Sequence, residues 1–157
     1  MDEIHADQSA VFGILRRPQV ASDQIPERRT AAFTGGLIGR RGLNPALARR
    51  ASTDAGDVWV IPGNGFIGLD VGGRTCTSTE VARAQGIVTW TFGSDHDSSS
   101  VHGLVPDGVE DVVLTTTDGA TKIVAVKDNV YGTELQGVFT SLRFVGPEGT
   151  VELGPWR

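Results

Sequence analysis

The stretch from Val101 to Asn129, VHGLVPDGVEDVVLTTTDGATKIVAVKDN, places two β-rich segments on either side of Asp118-Gly119. Asp-Gly between strand-like runs predicts a β-hairpin, because both central residues of a type I′ turn need φ above zero and these two residues tolerate it. A two-residue loop would pair Leu114 with Ile123 on one apolar face of the hairpin. A three-residue loop would shift this register.

A second hairpin signal lies near the end of the chain, at Gly146-Pro147-Glu148-Gly149. Proline presets the first central φ of the turn, and a glycine at each end lets the backbone close. With Gly146 facing Gly149, Phe144 lies opposite Val151 on an apolar face, and Arg143 lies opposite Glu152 on the other. Turn chemistry, alternation and charge pairing therefore agree on one register.

Similar patterns elsewhere predict a mainly β fold, α+β by element count, with about seven or eight short strands and two or three short helices. A compact β-sandwich and a half-open barrel both fit this pattern. Helices are predicted after a cap at Asp7, from Asn44-Pro45 to Arg50, and from a cap at Ser78 or Thr79 to Gly86 with Val81 on the apolar side. We divide the chain into an N-terminal arm with short helices and linker, 1–56, packed on a β-rich body, 57–157.

Charge is distributed unevenly along the 157 residues. The net charge is −5, but residues 1–50 hold eight Arg against five Asp and Glu, a net +3, whereas residues 51–157 have a net −8. The acidic body argues against binding to a nucleic-acid backbone, which needs basic patches. The arm is predicted to be a solvated, Arg-rich segment that docks on this body or on an external partner. Its arginines come in four pairs: Arg16-Arg17, Arg28-Arg29, Arg40-Arg41 and Arg49-Arg50.

Several classes of protein are disfavoured by composition. Cys76 is the one cysteine, so an intrachain disulfide is impossible. No run of 18 apolar residues exists to span a membrane. The start, Met1-Asp2-Glu3, is acidic where a signal peptide would be basic, which predicts a soluble cytoplasmic protein on the sequence as given. The oligomeric state cannot be read from these features.

The segment from Asp95 to His102 is the one local cluster of metal-ligand residue types. Asp95, Asp97 and His102, with His96 beside them, could gather a divalent cation, although their spacing matches no known zinc motif. The alternative interpretation is a solvated loop with incidental histidines. The only nucleotide-like string, Gly63-Asn64-Gly65-Phe66-Ile67-Gly68, precedes a strand-like run instead of a helix, so it predicts a hairpin turn and no cofactor.

Four segments together resemble a family of uncharacterised actinobacterial proteins: Ala10–Pro18, Asn44–Arg50, Gly103–Val109 and Val126–Tyr131. Members of that family are often secreted or membrane-anchored, so the resemblance implies a β-rich fold and an extracytoplasmic location. It assigns no catalytic residues.

The sequence thus favours a non-enzymatic binding or structural module, with a protein as the expected kind of partner. The alternative is a small metal-dependent hydrolase that uses the loop from Asp95 to His102. The sequence has many turn-forming residues and no group of catalytic residue types in a recognisable arrangement, which favours the non-enzymatic interpretation.

Overall fold

The structure is a computed structural model that describes residues 4–26, 42–95 and 97–156. Two α-helices and eleven strands are present in this part of the chain. The helices are α1 (Ala6–Ser9) and α2 (Thr79–Gln85). The strands are β1 (Arg49–Thr53), β2 (Gly56–Pro62), β3 (Phe66–Asp70), β4 (Arg74–Ser78), β5 (Ile87–Phe92), β6 (Ser98–Leu104), β7 (Asp111–Thr116), β8 (Thr121–Ala125), β9 (Val130–Gln136), β10 (Phe139–Gly146) and β11 (Gly149–Leu153).

These strands form three antiparallel sheets, in the orders β1-β2-β3-β4, β5-β6-β9 and β11-β10-β7-β8. The prediction of a mainly β, sandwich-like fold is confirmed, although the strands outnumber the seven or eight that were predicted. The three-stranded sheet lies between the other two, because its two faces belong to two different clusters of buried side chains.

The first core joins the β1–β4 sheet to the middle sheet. Val60 and Leu69 pair across β2 and β3, and they pack in one cluster with Leu104 and Val130, which pair across β6 and β9. The N-terminal segment is part of this cluster through Phe12, Ile14 and Leu15, all at most 3% exposed. Burial of this kind contributes about 25 cal/mol for each Å² of apolar surface removed from water.

The second core joins the other face of the middle sheet to the β11-β10-β7-β8 sheet. Tyr131 on β9 is buried there and covers Gly103, its partner on β6. A Cβ at Gly103 would come within 2.2 Å of the Tyr131 ring, so only glycine leaves room for the aromatic side chain. Burial raises the pKa of the Tyr131 hydroxyl well above its ordinary value.

The register predicted for the last hairpin is confirmed: Phe144 pairs with Val151, and Arg143 with Glu152. The two-residue register predicted at Asp118-Gly119 is wrong. Thr116 donates its N–H to Ala120 and accepts a hydrogen bond from the Gly119 N–H, which makes a three-residue loop with Gly119 at φ 88°.

This one-residue shift places Leu114 and Ile123, which were predicted to pair, on opposite faces of the sheet. Val113 faces Ile123 and Leu114 faces Lys122. Leu114 is fully buried, whereas Ile123 is 69% exposed on the opposite face of the sheet.

The helix predictions are confirmed in part. Asn44 Oδ1 accepts from the Ala46 N–H and begins a 3₁₀ turn at Pro45–Leu47, but the chain is already extended at Arg49, so the helix predicted to reach Arg50 is wrong. Arg49 and Arg50 are in a strand instead of a helix because β1 pairs along its whole length with β2.

Of the two caps predicted for α2, Ser78 is the one that forms, since its hydroxyl accepts from the Val81 N–H, and the helix ends at Gly86 as predicted. Val81 itself is 42% exposed, and Ala82 takes the buried position that the sequence assigned to Val81. Asp7 lies inside α1 and does not cap it.

The Arg28-Arg29 and Arg40-Arg41 pairs, His96 and the acidic start at Met1–Glu3 lie outside the described residues. Within the described ranges, none of the helices combines the length and apolar character that crossing a membrane requires.

Candidate functional site

A cavity of about 400 Å³ lies beside the β10–β11 hairpin, and we call it the hairpin cavity. This volume falls within the range of about 300–1,000 Å³ that is typical of ligand pockets. Phe144 and Val151 of the hairpin line it together with Val11 and Pro106. Helix α2 contributes the exposed Ala84 to the lining. The lining is therefore largely apolar.

Local structure explains why these elements meet. The hairpin register directs Phe144 and Val151 to the same side of their sheet. The N-terminal segment is joined to the loop after β6, because the Asp107 N–H donates to the Val11 carbonyl at 2.9 Å. Two segments that are distant in the chain thus line the cavity together with the hairpin.

Charged side chains stand at the rim of the hairpin cavity. Asp107 is occupied by structural contacts: it accepts from the Gly13 N–H and the Asn129 amide, and Arg16 lies 2.8 Å from its second oxygen. Burial alone would raise the pKa of Asp107, but these hydrogen bonds outweigh it and lower that pKa. Arg83 and Glu148 make no ion pair with any described residue, so two opposite charges remain available at the rim.

The cavity lies at the edge of a sheet. Strand β11 pairs with β10 on one side, and on its other side no described strand pairs with it. Thr150 and Glu152 are exposed along this strand. Alternate residues of such an edge strand direct their backbone N–H and C=O groups outward, where another chain can pair with them.

The predicted metal ligands are not brought together. Asp95 and Asp97 lie in the loop between β5 and β6, where Asp95 Oδ1 accepts from the Asp97 N–H at 3.0 Å. His102 is five residues beyond Asp97 on β6, or roughly 16 Å along an extended strand. Among the described residues, no three His, Cys, Asp or Glu side chains are placed to hold a metal ion. The metal-dependent alternative stays a prediction.

Asp23 is a buried carboxylate that was not predicted from the sequence. Arg17 donates to its two oxygens at 2.8 and 2.6 Å, and the backbone N–H groups of Val20 and Arg50 donate at 2.8 and 2.7 Å. Burial would raise the pKa of Asp23, but these four hydrogen bonds outweigh it and hold that pKa well below its usual range. The contacts join the N-terminal segment to β1. Three of the four hydrogen bonds come from Arg17 and Val20, within six positions of Asp23, but the burial of the carboxylate depends on the distant Arg50 N–H as well.

Asn129 was missed as well, although a local signal exists. Asp128 and Asn129 have φ of 53° and 67°, and Lys127 and Val130 exchange both backbone hydrogen bonds around them, as in a type I′ turn. Consecutive Asx residues tolerate this conformation and could have predicted the turn. The Asn129 side chain accepts from the Ile14 N–H at 2.8 Å and donates to Asp107 at 2.8 Å.

These contacts give a structural role to the segments that carry the family resemblance. Three of the four segments meet at the contacts among Gly13, Asp107 and Asn129, and Arg17 reaches the Arg50 carbonyl of the remaining one. The resemblance itself stays a prediction. Comparison of the chain with protein-family models, with curated proteins and with solved structures finds no match.

Proposed function

We propose that this protein is a non-enzymatic binding module that holds an extended peptide segment of a partner protein along β11. The observation that carries the proposal is the position of an apolar cavity of about 400 Å³ directly beside an unpaired strand edge in the described part of the fold. Peptides that add a strand to a sheet edge gain affinity from main-chain hydrogen bonds and specificity from pockets for alternate side chains.

The geometry of strand pairing specifies which peptide residue would enter the cavity. Residues directly opposite each other on paired strands project to the same face of the sheet. Val151 projects to the face that lines the hairpin cavity. A peptide residue opposite Val151 therefore directs its side chain into the cavity, where Phe144 and Pro106 favour an apolar group.

The rim adds a charge preference. Arg83 lies on the α2 side of the cavity and Glu148 lies in the hairpin turn. A peptide with an acidic residue at the α2 end and a basic residue at the turn end complements both charges. Charges at a rim affect orientation and association rate more than affinity.

The experiment is a display selection from a random heptapeptide library, followed by binding measurements on the enriched synthetic peptides. Ala84 is an exposed residue of the cavity lining, so Ala84→Phe adds a ring to the cavity without removing a buried group. We expect this variant to weaken peptide binding at least about tenfold, the equivalent of about 1.4 kcal/mol.

The matched control is Gln85→Phe, which adds the same ring to an exposed neighbouring position outside the cavity lining. It should leave binding unchanged, and backbone amide shifts should concentrate in Thr150–Glu152 when peptide is added. Enrichment of no peptide, or equal binding to the two phenylalanine variants, would contradict the proposal.

A further inference from the structure

A second concave site lies on the middle sheet, away from β11. Across β5, β6 and β9, Thr89 pairs with His102, and Thr91 pairs with Ser100 and then Glu134. These residues share a face with the buried Ile87, Leu104 and Val130, but they extend past the first core. The polar end of this face forms the floor of a groove of about 350 Å³, which we call the His102 groove.

The two hairpin turns of the β1–β4 sheet form its walls. Ala55 lies in the turn between β1 and β2, and Gly72-Gly73 lies in the turn between β3 and β4. His102 is held between floor and wall, since its Nε2 atom is 3.0 Å from the Ala55 carbonyl oxygen. Gly132 makes room for the ring, because a Cβ there would come within 2.8 Å of His102 Cδ2.

This contact determines what His102 presents to the groove. A carbonyl oxygen only accepts hydrogen bonds, so Nε2 carries the proton and Nδ1 of the neutral ring is an acceptor. His102 makes no second hydrogen bond within the described part of the chain. The Nδ1 atom of His102, a residue that is only 7% exposed, thus has no hydrogen-bond partner among the described residues.

The hydroxyl groups on the floor are available too. In the described ranges the Thr89 and Thr91 side chains make no hydrogen bond, whereas the Ser100 hydroxyl donates to the Glu134 carboxylate at 2.7 and 2.8 Å. Polar groups that converge in a concave site without protein partners are typical of ligand sites. Among the described residues that line the groove there is no lysine, arginine, aspartate or glutamate, and the Glu134 carboxylate borders it through its hydrogen bonds with Ser100. The groove therefore suits a ligand with many hydroxyl groups and no negative charge.

We propose that the His102 groove binds a small neutral polyhydroxylated ligand of the monosaccharide class. Each ligand hydroxyl can donate to His102 Nδ1 or exchange hydrogen bonds with Thr89 and Thr91. The C–H face of a sugar ring can pack on Val71 and the Gly72-Gly73 backbone. This site is separate from the hairpin cavity and does not depend on the peptide proposal.

The test is an NMR titration of the whole chain with glucose, galactose, mannose and myo-inositol in turn, with inorganic phosphate as a charged comparator. We expect saturable shifts in the amides of Thr89, Ser100 and His102 with at least one of the sugars or the inositol. Thr89→Val, which keeps the side-chain shape and removes the hydroxyl, should weaken that binding about tenfold.

The matched control is Thr121→Val, at an exposed threonine of β8, which should bind as the unmodified chain does. If Thr89→Val does not fold, Thr91→Val gives the same test at an exposed position. The proposal is overturned if no polyol gives a saturable shift, if phosphate binds more tightly than every polyol, or if the folded variant and the control bind equally.

Discussion

Replacing the buried Asp23 by asparagine tests whether its hydrogen bonds join the N-terminal segment to the sheet. Each carboxylate oxygen accepts one guanidinium N–H from Arg17 and one backbone N–H, from Val20 or Arg50. Asn keeps one acceptor oxygen and turns an NH₂ group toward the other two donors. Two charge-assisted hydrogen bonds to the carboxylate are lost, one from Arg17 and one from a backbone N–H, in a site where Asp23 is 0% exposed.

The expected cost follows from these losses. A buried donor without a partner costs about 1–3 kcal/mol, and disruption of a buried ion pair costs about 3–5 kcal/mol. We therefore expect Asp23→Asn to lower the free energy of unfolding at pH 7 by about 3–5 kcal/mol. The control is Asp57→Asn, because Asp57 and Arg50 form a solvent-exposed pair at 3.5 Å that should contribute less than about 1 kcal/mol.

The same substitution predicts a pH dependence. The pKa of Asp23 is lower in the folded chain than the value of about 3.9 for an unfolded aspartate. Its contribution is therefore complete above about pH 4 and is lost as the pH falls below that value toward the folded pKa. The difference in unfolding free energy between the two chains should shrink from pH 5 to pH 3.

Urea unfolding followed by tryptophan fluorescence, at pH 7 and at steps down to pH 3, measures this difference directly. A loss of less than about 1 kcal/mol for Asp23→Asn at pH 7 would contradict the role assigned to these hydrogen bonds. A difference that stays constant down to pH 3 would contradict it as well.

Three further predictions test the packing of the second core and the contact at Asn129. Leu114→Ala should lower the free energy of unfolding by about 2–5 kcal/mol and Ile123→Ala by less than about 0.5 kcal/mol, because only Leu114 is buried. Equal losses for the two variants in urea unfolding would instead support the two-residue loop, in which both side chains share one face. Asn129→Ala should lower the free energy of unfolding by about 3 kcal/mol, because it leaves the Ile14 N–H without an acceptor and places alanine at φ 67°. A melting temperature within a degree of the unmodified chain would contradict this structural role of Asn129. Gly103→Ala should lower the free energy of unfolding by about 1–3 kcal/mol, because the new Cβ would collide with the Tyr131 ring. An unchanged melting temperature would show that the ring can shift aside without loss of stability.

Much of the fold follows from local sequence chemistry. The Gly146–Gly149 turn has one register in which apolar residues meet on one face and Arg143 meets Glu152 on the other, and the structure has that register. The Asn44 and Ser78 caps follow from side-chain oxygens placed to accept backbone N–H groups. These features depend on residues a few positions apart, so the sequence predicts them correctly.

The candidate sites were less predictable, because their parts come from distant segments. Val11 and Val151 line the same hairpin cavity although 140 positions separate them in the chain. His102 was singled out as a metal ligand beside Asp95 and Asp97, whereas its position on β6 brings it to Ala55. Which distant residues become neighbours depends on how the strands pair and the sheets pack, and residue types alone do not predict that arrangement.

Short-range signals in the chain suffice for the β-rich class, the last hairpin and the caps at Asn44 and Ser78, because turn geometry and alternation involve residues a few positions apart. The register at Asp118-Gly119, in contrast, depends on how the sheets pack. Both faces of that hairpin carry apolar residues, so alternation permits either one to be buried. The three-residue loop buries Leu114 and lets Lys122 donate to Thr133 and to the Glu134 carbonyl on β9, and these contacts exist only when the sheets are packed.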